Sequence, residues 1–206
     1  MFVITADQID SRSHPDRVAT ALQRLNSGYP ELALPPERTA GDEFQTLVED
    51  SATALSIVLD LHRDREWSIG VGCGGVRHPL PPSIREATGG AFFAARKAVA
   101  RAKHRNTRFA LTHDATSATS RTADAEALID LLLLLRDRRT TGGWELHDLL
   151  ATGMNQQEAA VRLGISEAAV SSRARSAGIR AEEAAVPALA TLLARLDDDS
   201  TGSETT

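Results

Sequence analysis

Over its first 112 residues the chain switches repeatedly between two hydrophobic periods, and this alternation limits the available folds more than any other feature. Residues 2–6 form a short apolar, β-prone run, the mark of a strand. Residues 14–25 then place Val18, Ala19, Leu22 and Leu25 at helical spacing. Pro35 and Pro36 restrict residues 32–39 to a short or edge strand. Residues 40–43 read as a hairpin turn and residues 44–48 as the return strand. Ala54, Leu55, Val58, Leu59 and Leu61 make residues 50–64 a strong helix. Residues 67–76 (WSIGVGCGGV) form a Gly-rich strand, residues 77–87 a proline-bearing loop, residues 91–105 an amphipathic helix and residues 107–112 a last strand. The predicted order is β-α-β-β-α-β-α-β. Its core, βαββαβ, is the split βαβ or ferredoxin-like plan, with helices on one face of an antiparallel sheet. The expected class is therefore α+β for a first domain spanning residues 1–115.

Residues 116–124 are rich in Ser, Thr and Ala and are expected to be a linker. A helical domain follows over residues 125–196, opening with a Leu-rich helix at residues 125–138 and a turn at residues 140–143. Residues 197–206 contain no apolar side chain, so a disordered tail is expected there. Apolar residues make up 42% of the chain and aromatics only 4%, so the core must be built from Leu, Val, Ile and Ala. The single cysteine, Cys73, excludes an intramolecular disulfide and a Cys-based zinc cluster. The N-terminus lacks the basic and long apolar regions of a signal peptide. The longest apolar run, near residues 128–135, is too short for a bilayer. A soluble, cytoplasmic protein is expected, with no membrane partner.

Residues 144–180 carry the strongest functional signal. Asn155 is placed to cap one helix and Ser166 the next. Between them Gly164 supplies a left-handed turn, Ala159 and Ala160 allow close helix approach, and Leu163 and Ile165 fill the space between helices. Ala169 and Val170 are expected to face the core. Glu167, Ala168, Ser171, Ser172 and Arg175 are left outward. This segment resembles the helix-turn-helix of bacterial regulators and sigma-factor-like domains, whose second helix enters the major groove. The resemblance implies DNA contacts from those five residues together with Arg173 and Arg180. The alternative is a helical hairpin for protein contacts or dimerisation. With net charge −5, DNA affinity must come from a local patch rather than the whole-protein field. Four arginines against one acid between residues 162 and 180 supply it. Glu145, Asp148 and Glu158 offset much of that charge, so a homodimer is expected, which raises affinity by effective concentration. The Leu-rich helix offers either a dimer face or core packing.

In the first domain, Asp7 ends the first strand and Asp42 sits at the hairpin tip. In a split βαβ sheet these elements are neighbours, and two close carboxylates call for a cation. Magnesium with phosphate co-ligands suits such a pair. Asp7, the AGDEF stretch, SIGVG at residues 68–72 and AVARAKHRNTRF at residues 98–109 occur in the order seen in GGDEF and class III cyclase palm domains. The chain resembles the SatD family still more closely, through its Asp-x-x-x-Ser-Arg start, Gly-Asp-Glu-Phe-Gln hairpin and Gly-rich fourth strand. The cyclase resemblance implies Mg2+ held by Asp7, Asp42 and Glu43, and a nucleotide held by Gly41, Lys103 and Arg105. The chain departs from the cyclase pattern at Ala40, in lacking a Phe-Lys pair after Asp7, and in its shorter turn at residues 103–108.

No Ser-His-Asp order or nucleophile elbow marks a catalytic residue. The six histidines lack metal spacing. Gly89-Gly90 ahead of a helix is open to an anion-binding helix start or a hinge. The glycines of residues 70–75 are expected to admit another backbone or a ligand, and residues 136–139 to be a solvated helix end. Together these features predict a DNA-binding transcriptional regulator with an N-terminal nucleotide- or metal-binding-like sensor or dimerisation domain. The alternatives are a Mg-dependent nucleotide-processing enzyme and a protein-interaction module.

Overall fold

A computed structural model describes the backbone of residues 1–201 and the side chains of residues 1–197. The fold is mixed α+β, with one five-stranded sheet. The chain divides into two compact units, Met1–Asp130 together with the chain from Leu189 onward, and Leu131–Ala188. Among the described residues, no helix is long and apolar enough to cross a membrane.

The first unit contains strands β1 (Phe2–Gln8), β2 (Leu34–Ala40), β3 (Glu43–Val48), β4 (Trp67–Cys73) and β5 (Phe109–His113). Its helices are α1 (Val18–Gly28), α2 (Ser51–Asp64) and α3 (Gly90–Ala102), followed by the beginning of α4 (Thr119–Asp137). The sheet order is β2-β3-β1-β4-β5. β1 is central and antiparallel to both β3 and β4, whereas β5 joins β4 in parallel after the α3 crossover. Pro35 and Pro36 fall on edge strand β2, between Leu34 and Glu37, where the register shifts. An edge or bulge is where a residue without an N–H is tolerated.

Side-chain alternation divides the sheet into two faces. Val3, Thr5 and Asp7 of β1 lie opposite Gly72, Gly70 and Ser68 of β4, and α3 packs on this face. Val3, Leu34 and Leu47 form a cluster there with Ala91, Phe92 and Ala95. The approach is backbone to backbone. A Cβ on Gly70 would stand 2.6 Å from Val99 Cα, and one on Gly72 would overlap Ala91 O and Ala95 N. The other face, with Phe2, Ile4, Phe44, Ile69 and Val71, is equally buried. There Phe44 and Trp67 meet edge to face at 5.1 Å between centroids.

Residues 116–124, expected as a linker, form a 3-10 turn (Thr116–Ala118) and the first turns of α4. Ala118, Thr122, Ala125, Glu126 and Ile129 are buried, and this helical spacing anchors the segment. Glu126 also closes the β5 edge. Its Oε2 accepts from Leu111 N at 2.7 Å, while Arg101 donates to Leu111 O at 3.2 Å. Edge strand groups satisfied by side chains cannot recruit another strand.

The second unit is helical: the end of α4, α5 (Thr141–Ala151), α6 (Gln156–Leu163), α7 (Glu167–Ser176) and the beginning of α8 (Ile179–Thr201). Helix α8 continues to Thr201 where the sequence reading expects a structureless tail from residue 197. Within the first unit, Asp197 of this helix pairs with the Met1 amino group, and Leu196 O meets His113 Nε2 at 3.0 Å. Residues 202–206 of the expected tail lie outside the described residues.

The contact between β4 and α3 predicts a sharp contrast between glycines. Gly72→Ala must displace α3 and is expected to cost about 3 kcal/mol or more, at the top of the overpacking range. Gly28→Ala, with nothing within 4 Å of an added Cβ, is expected to be neutral or slightly stabilising. Urea denaturation of both variants measures this difference.

Candidate functional site

In the helical unit each helix end is set by local chemistry. Thr140 Oγ1 accepts from Gly143 N at the start of α5. Asn155 Oδ1 accepts from Gln157 N and Glu158 N at 2.9 and 3.0 Å, and Glu158 Oε2 accepts from Asn155 N at 2.8 Å. This is a capping box, which satisfies otherwise orphaned N–H groups at both ends of the exchange. Helix α6 stops at Gly164, whose φ is +65°, a conformation that costs glycine no Cβ strain. Ile165 N reaches back to Ala160 O at 3.1 Å. Ser166 Oγ then accepts from Ala169 N at 3.2 Å, starting α7.

These helices share a core of Leu146, Ala159, Ala160, Val170, Ala174, Ala177 and Ile179, with Leu149, Leu150, Leu163 and Ile165 around it. Alanines at the centre let α6 and α7 approach closely. Val170, Ala174 and Ala177 occupy the buried face of α7, but Ala169 is exposed. The expectation that Ala169 faces the core fails because it lies about 100° around the helix from Val170. Glu167, Ala168, Ser172 and Arg175 are exposed and Ser171 is half-buried, so these five residues share the outward side of α7. Arg173 lies elsewhere. It is half-buried, its Nη1 stands 3.7 Å from Glu145 Oε2, and its guanidinium lies against Gly142. Arg180 is exposed at the start of α8 and lines a shallow depression with Arg175, Ser171 and Gln156. Gln156 was not singled out from sequence, although its place directly after the Asn155 cap marks it as the first helical residue.

A charged cluster holds this unit together. Arg136 and Arg139, expected on a solvated helix end, are instead buried. Both guanidinium groups pair with Glu182, and they lie 4.8 and 4.4 Å from the centroid of the Trp144 ring. Arg139 Nε also donates to Ala177 O, at the end of α7, at 3.0 Å. His147 Nε2 stands 3.6 Å from Glu182 Oε1. Burial alone pushes the Glu182 carboxyl up, but His147, Arg136 and Arg139 together outweigh it and hold it at about 2.

The first unit gathers the other predicted residues only in part. Asp7 and Glu43 are partners in the β1/β3 register. Yet Asp7 Oδ2 is held by Lys103 Nζ at 2.6 Å, Glu43 Oε1 accepts from Thr39 Oγ1 at 2.7 Å, and the Asp42 carboxylate accepts from Ser11 Oγ. No group of three metal-ligating side chains converges among the described residues. In this arrangement Lys103 is the cation on Asp7. Arg105 does not reach toward Asp7. It pairs with Glu126, at 2.8 Å, and with Asp130, so it fastens α4. Gly41 has φ +43°, a left-handed conformation that glycine adopts without strain, and nothing stands within 4 Å of an added Cβ.

A groove of about 450 Å³ does form beside the hairpin, lined by Gln8, Ser11, Arg12, Asp16, Arg38, Gly41 and Asp42. Arg38 is committed to Asp16, at 2.6 Å, and to Gly41 O, while Arg12 is exposed. In the sequence, Ser11 and Arg12 stand out only within the Asp-x-x-x-Ser-Arg start. The groove is formed when the loop after β1 meets the hairpin tip, through Gln8 N donating to Asp42 O at 3.0 Å. The Gly89-Gly90 helix start is filled from within: Asp114 packs against Gly90 and its Oδ2 accepts from Gly75 N at 2.9 Å. Comparison with protein-family models, curated proteins and solved structures finds no match to this chain.

Because the folded Glu182 has a depressed pKa, its stabilisation is complete above the ordinary value of 4.5 and is lost as pH falls toward 2. The expected loss across that window is on the order of 3 kcal/mol. Chemical denaturation between pH 5 and 2 should show this slope in the wild type and a shallower one in Glu182→Gln.

Proposed function

We propose that the chain is a DNA-binding transcriptional regulator whose α6-turn-α7 segment docks on duplex DNA, with α7 in the major groove. The observation that carries this reading is the outward side of α7: small and polar, with Arg175 and Arg180 beside it, on a helix braced against α5 and α6 by a close-packed alanine core. A helix with short outward side chains can bring its backbone close to base edges, and flanking arginines supply phosphate contacts. Leu131 and Leu134, exposed on α4, support a homodimer. The protein-interaction alternative draws on the same leucines but leaves the arginines beside α7 without a role.

In this reading Arg175→Ala and Arg180→Ala each weaken binding about equally on all duplex sequences and reduce the slope of log affinity against log salt by about 1. Arg173→Ala changes binding less, because its guanidinium is turned toward Glu145. Fluorescence anisotropy across a salt series measures all three. Equal affinity and equal salt slope for wild type, Arg175→Ala and Arg180→Ala would refute the assignment.

The first unit acts in this proposal as a palm-like sensor or dimerisation domain of the SatD type. The order β2-β3-β1-β4, with β1 antiparallel to both neighbours, supports the split βαβ plan. A nucleotide ligand is favoured by one observation, the groove beside the hairpin. The exposed Arg12 is there to meet phosphate oxygens, and Asp42 stands at its rim. A Mg-dependent nucleotide-processing enzyme is the alternative for this unit. Saturating nucleoside triphosphate with magnesium is expected to raise the melting temperature of the wild type by mass action and to leave Arg12→Ala unshifted. An equal shift in both proteins would place the ligand elsewhere.

A further inference from the structure

We infer that Glu167 reads a cytosine, fixing one C·G pair in the DNA site that α7 contacts. This rests on the DNA-binding reading above and adds the base identity to it. Over the first two turns of α7 the exposed side chains are Glu167, Ala168, Ala169 and Ser172, with Ser171 and Arg173 half-buried. Among the exposed four, Glu167 alone is charged or reaches beyond a methyl or hydroxyl. In the first turn, where Glu167, Ala168 and Ala169 are exposed and Val170 is buried, only Glu167 carries a side-chain hydrogen-bonding group. That carboxylate forms no ion pair or hydrogen bond among the described residues. The nearest arginine on α7, Arg173, is turned to Glu145, and Arg175 lies two turns along the helix from Glu167.

A carboxylate brought to a polyanion is repelled unless it meets a donor. In the major groove the donors are the amino groups of cytosine (N4) and adenine (N6). Adenine places the N7 acceptor directly beside N6, so a second carboxylate oxygen would face a lone pair. Cytosine presents N4 without a neighbouring acceptor on its own ring, and an acceptor-only side chain fits it better. An amide at the same position has both a donor and an acceptor, which matches adenine N6 and N7. The competing explanation for Glu167 is that an acid in the first turn of α7 complements the helix dipole. That role is indifferent to base identity.

The test uses the full chain and a pool of duplexes with a randomised core, retained at low salt and sequenced, for wild type, Glu167→Gln and Glu167→Ala. The expected result is a cytosine favoured at one position by about 5- to 150-fold in the wild type. Glu167→Gln moves that preference to adenine, Glu167→Ala abolishes it, and the other positions keep their bases. A wild-type pool without a preferred C·G pair overturns the inference whatever the variants do. So does a pool whose preferred bases are the same for all three proteins. Retention of no duplex by the wild type overturns the DNA-binding reading itself. Duplex retention with the wrong base preference overturns only the role of Glu167.

Discussion

The first unit depends on the contact in which α3 lies directly on β4. Gly70 and Gly72 remove side-chain volume from one face of that strand, and Ala91, Ala95 and Ala98 remove it from the helix. The two backbones then meet without a layer of large side chains between them. Dispersion contacts are short-ranged, so such an approach is favourable only where every intervening side chain is small. The path of α3 is fixed in consequence. Its beginning receives Asp114, and its far end delivers Lys103 to Asp7 and Arg101 and Arg105 to α4. The polar contacts that close the sheet edge are possible because the helix is held this close.

The helical unit solves a different problem. It has few aromatic side chains and an alanine-rich core, which gives close approach but little buried area per residue. Arg136, Arg139, Glu182 and Trp144 supply the bulk that the alanines lack. Two buried cations share one carboxylate, and the aromatic face takes up part of the remaining charge. Arg139 Nη1 is buried without a hydrogen-bond partner among the described residues, so the cluster is not fully satisfied. A buried ion cluster is weak evidence for net stability, since desolvation offsets its attraction. What it fixes is position: Arg139 ties the end of α7 to α8 through Ala177 O and Glu182.

Both units therefore use charged residues internally that a surface reading would assign to ligands. Arg105 is taken by Glu126 and Asp130, Arg173 is turned to Glu145, and Lys103 is paired with Asp7. Among the charged groups left exposed near the two candidate sites are Arg12 beside the hairpin groove, Arg175 and Arg180 beside α7, and Glu167 on it. The proposed chemistry rests on these rather than on the larger set of charges nearby.

Much of the architecture was legible in the sequence because it is governed by local rules. The two hydrophobic periods marked the strands and helices, the paired prolines marked the edge strand, and Asn155, Gly164 and Ser166 marked the helix ends. Each of these follows from backbone sterics or from hydrogen bonds within a few residues. The glycines at positions 70 and 72 announced a close approach, but not which helix would make it. The tertiary structure alone decided which charges are partnered. Glu182 lies more than forty positions from Arg136 and Arg139, and no periodicity announces a counter-ion at that distance. The same limit applies to residues 116–124 and to Asp197. Their composition suits a coil, but burial of residues 118 and 122 and the pairing of Asp197 with the Met1 amino group, both formed across the fold, favour helix there. Local propensity differs by a few tenths of a kcal/mol per residue, whereas a single buried charged hydrogen bond is worth about 1.5–3 kcal/mol, and the contact made at long range prevails.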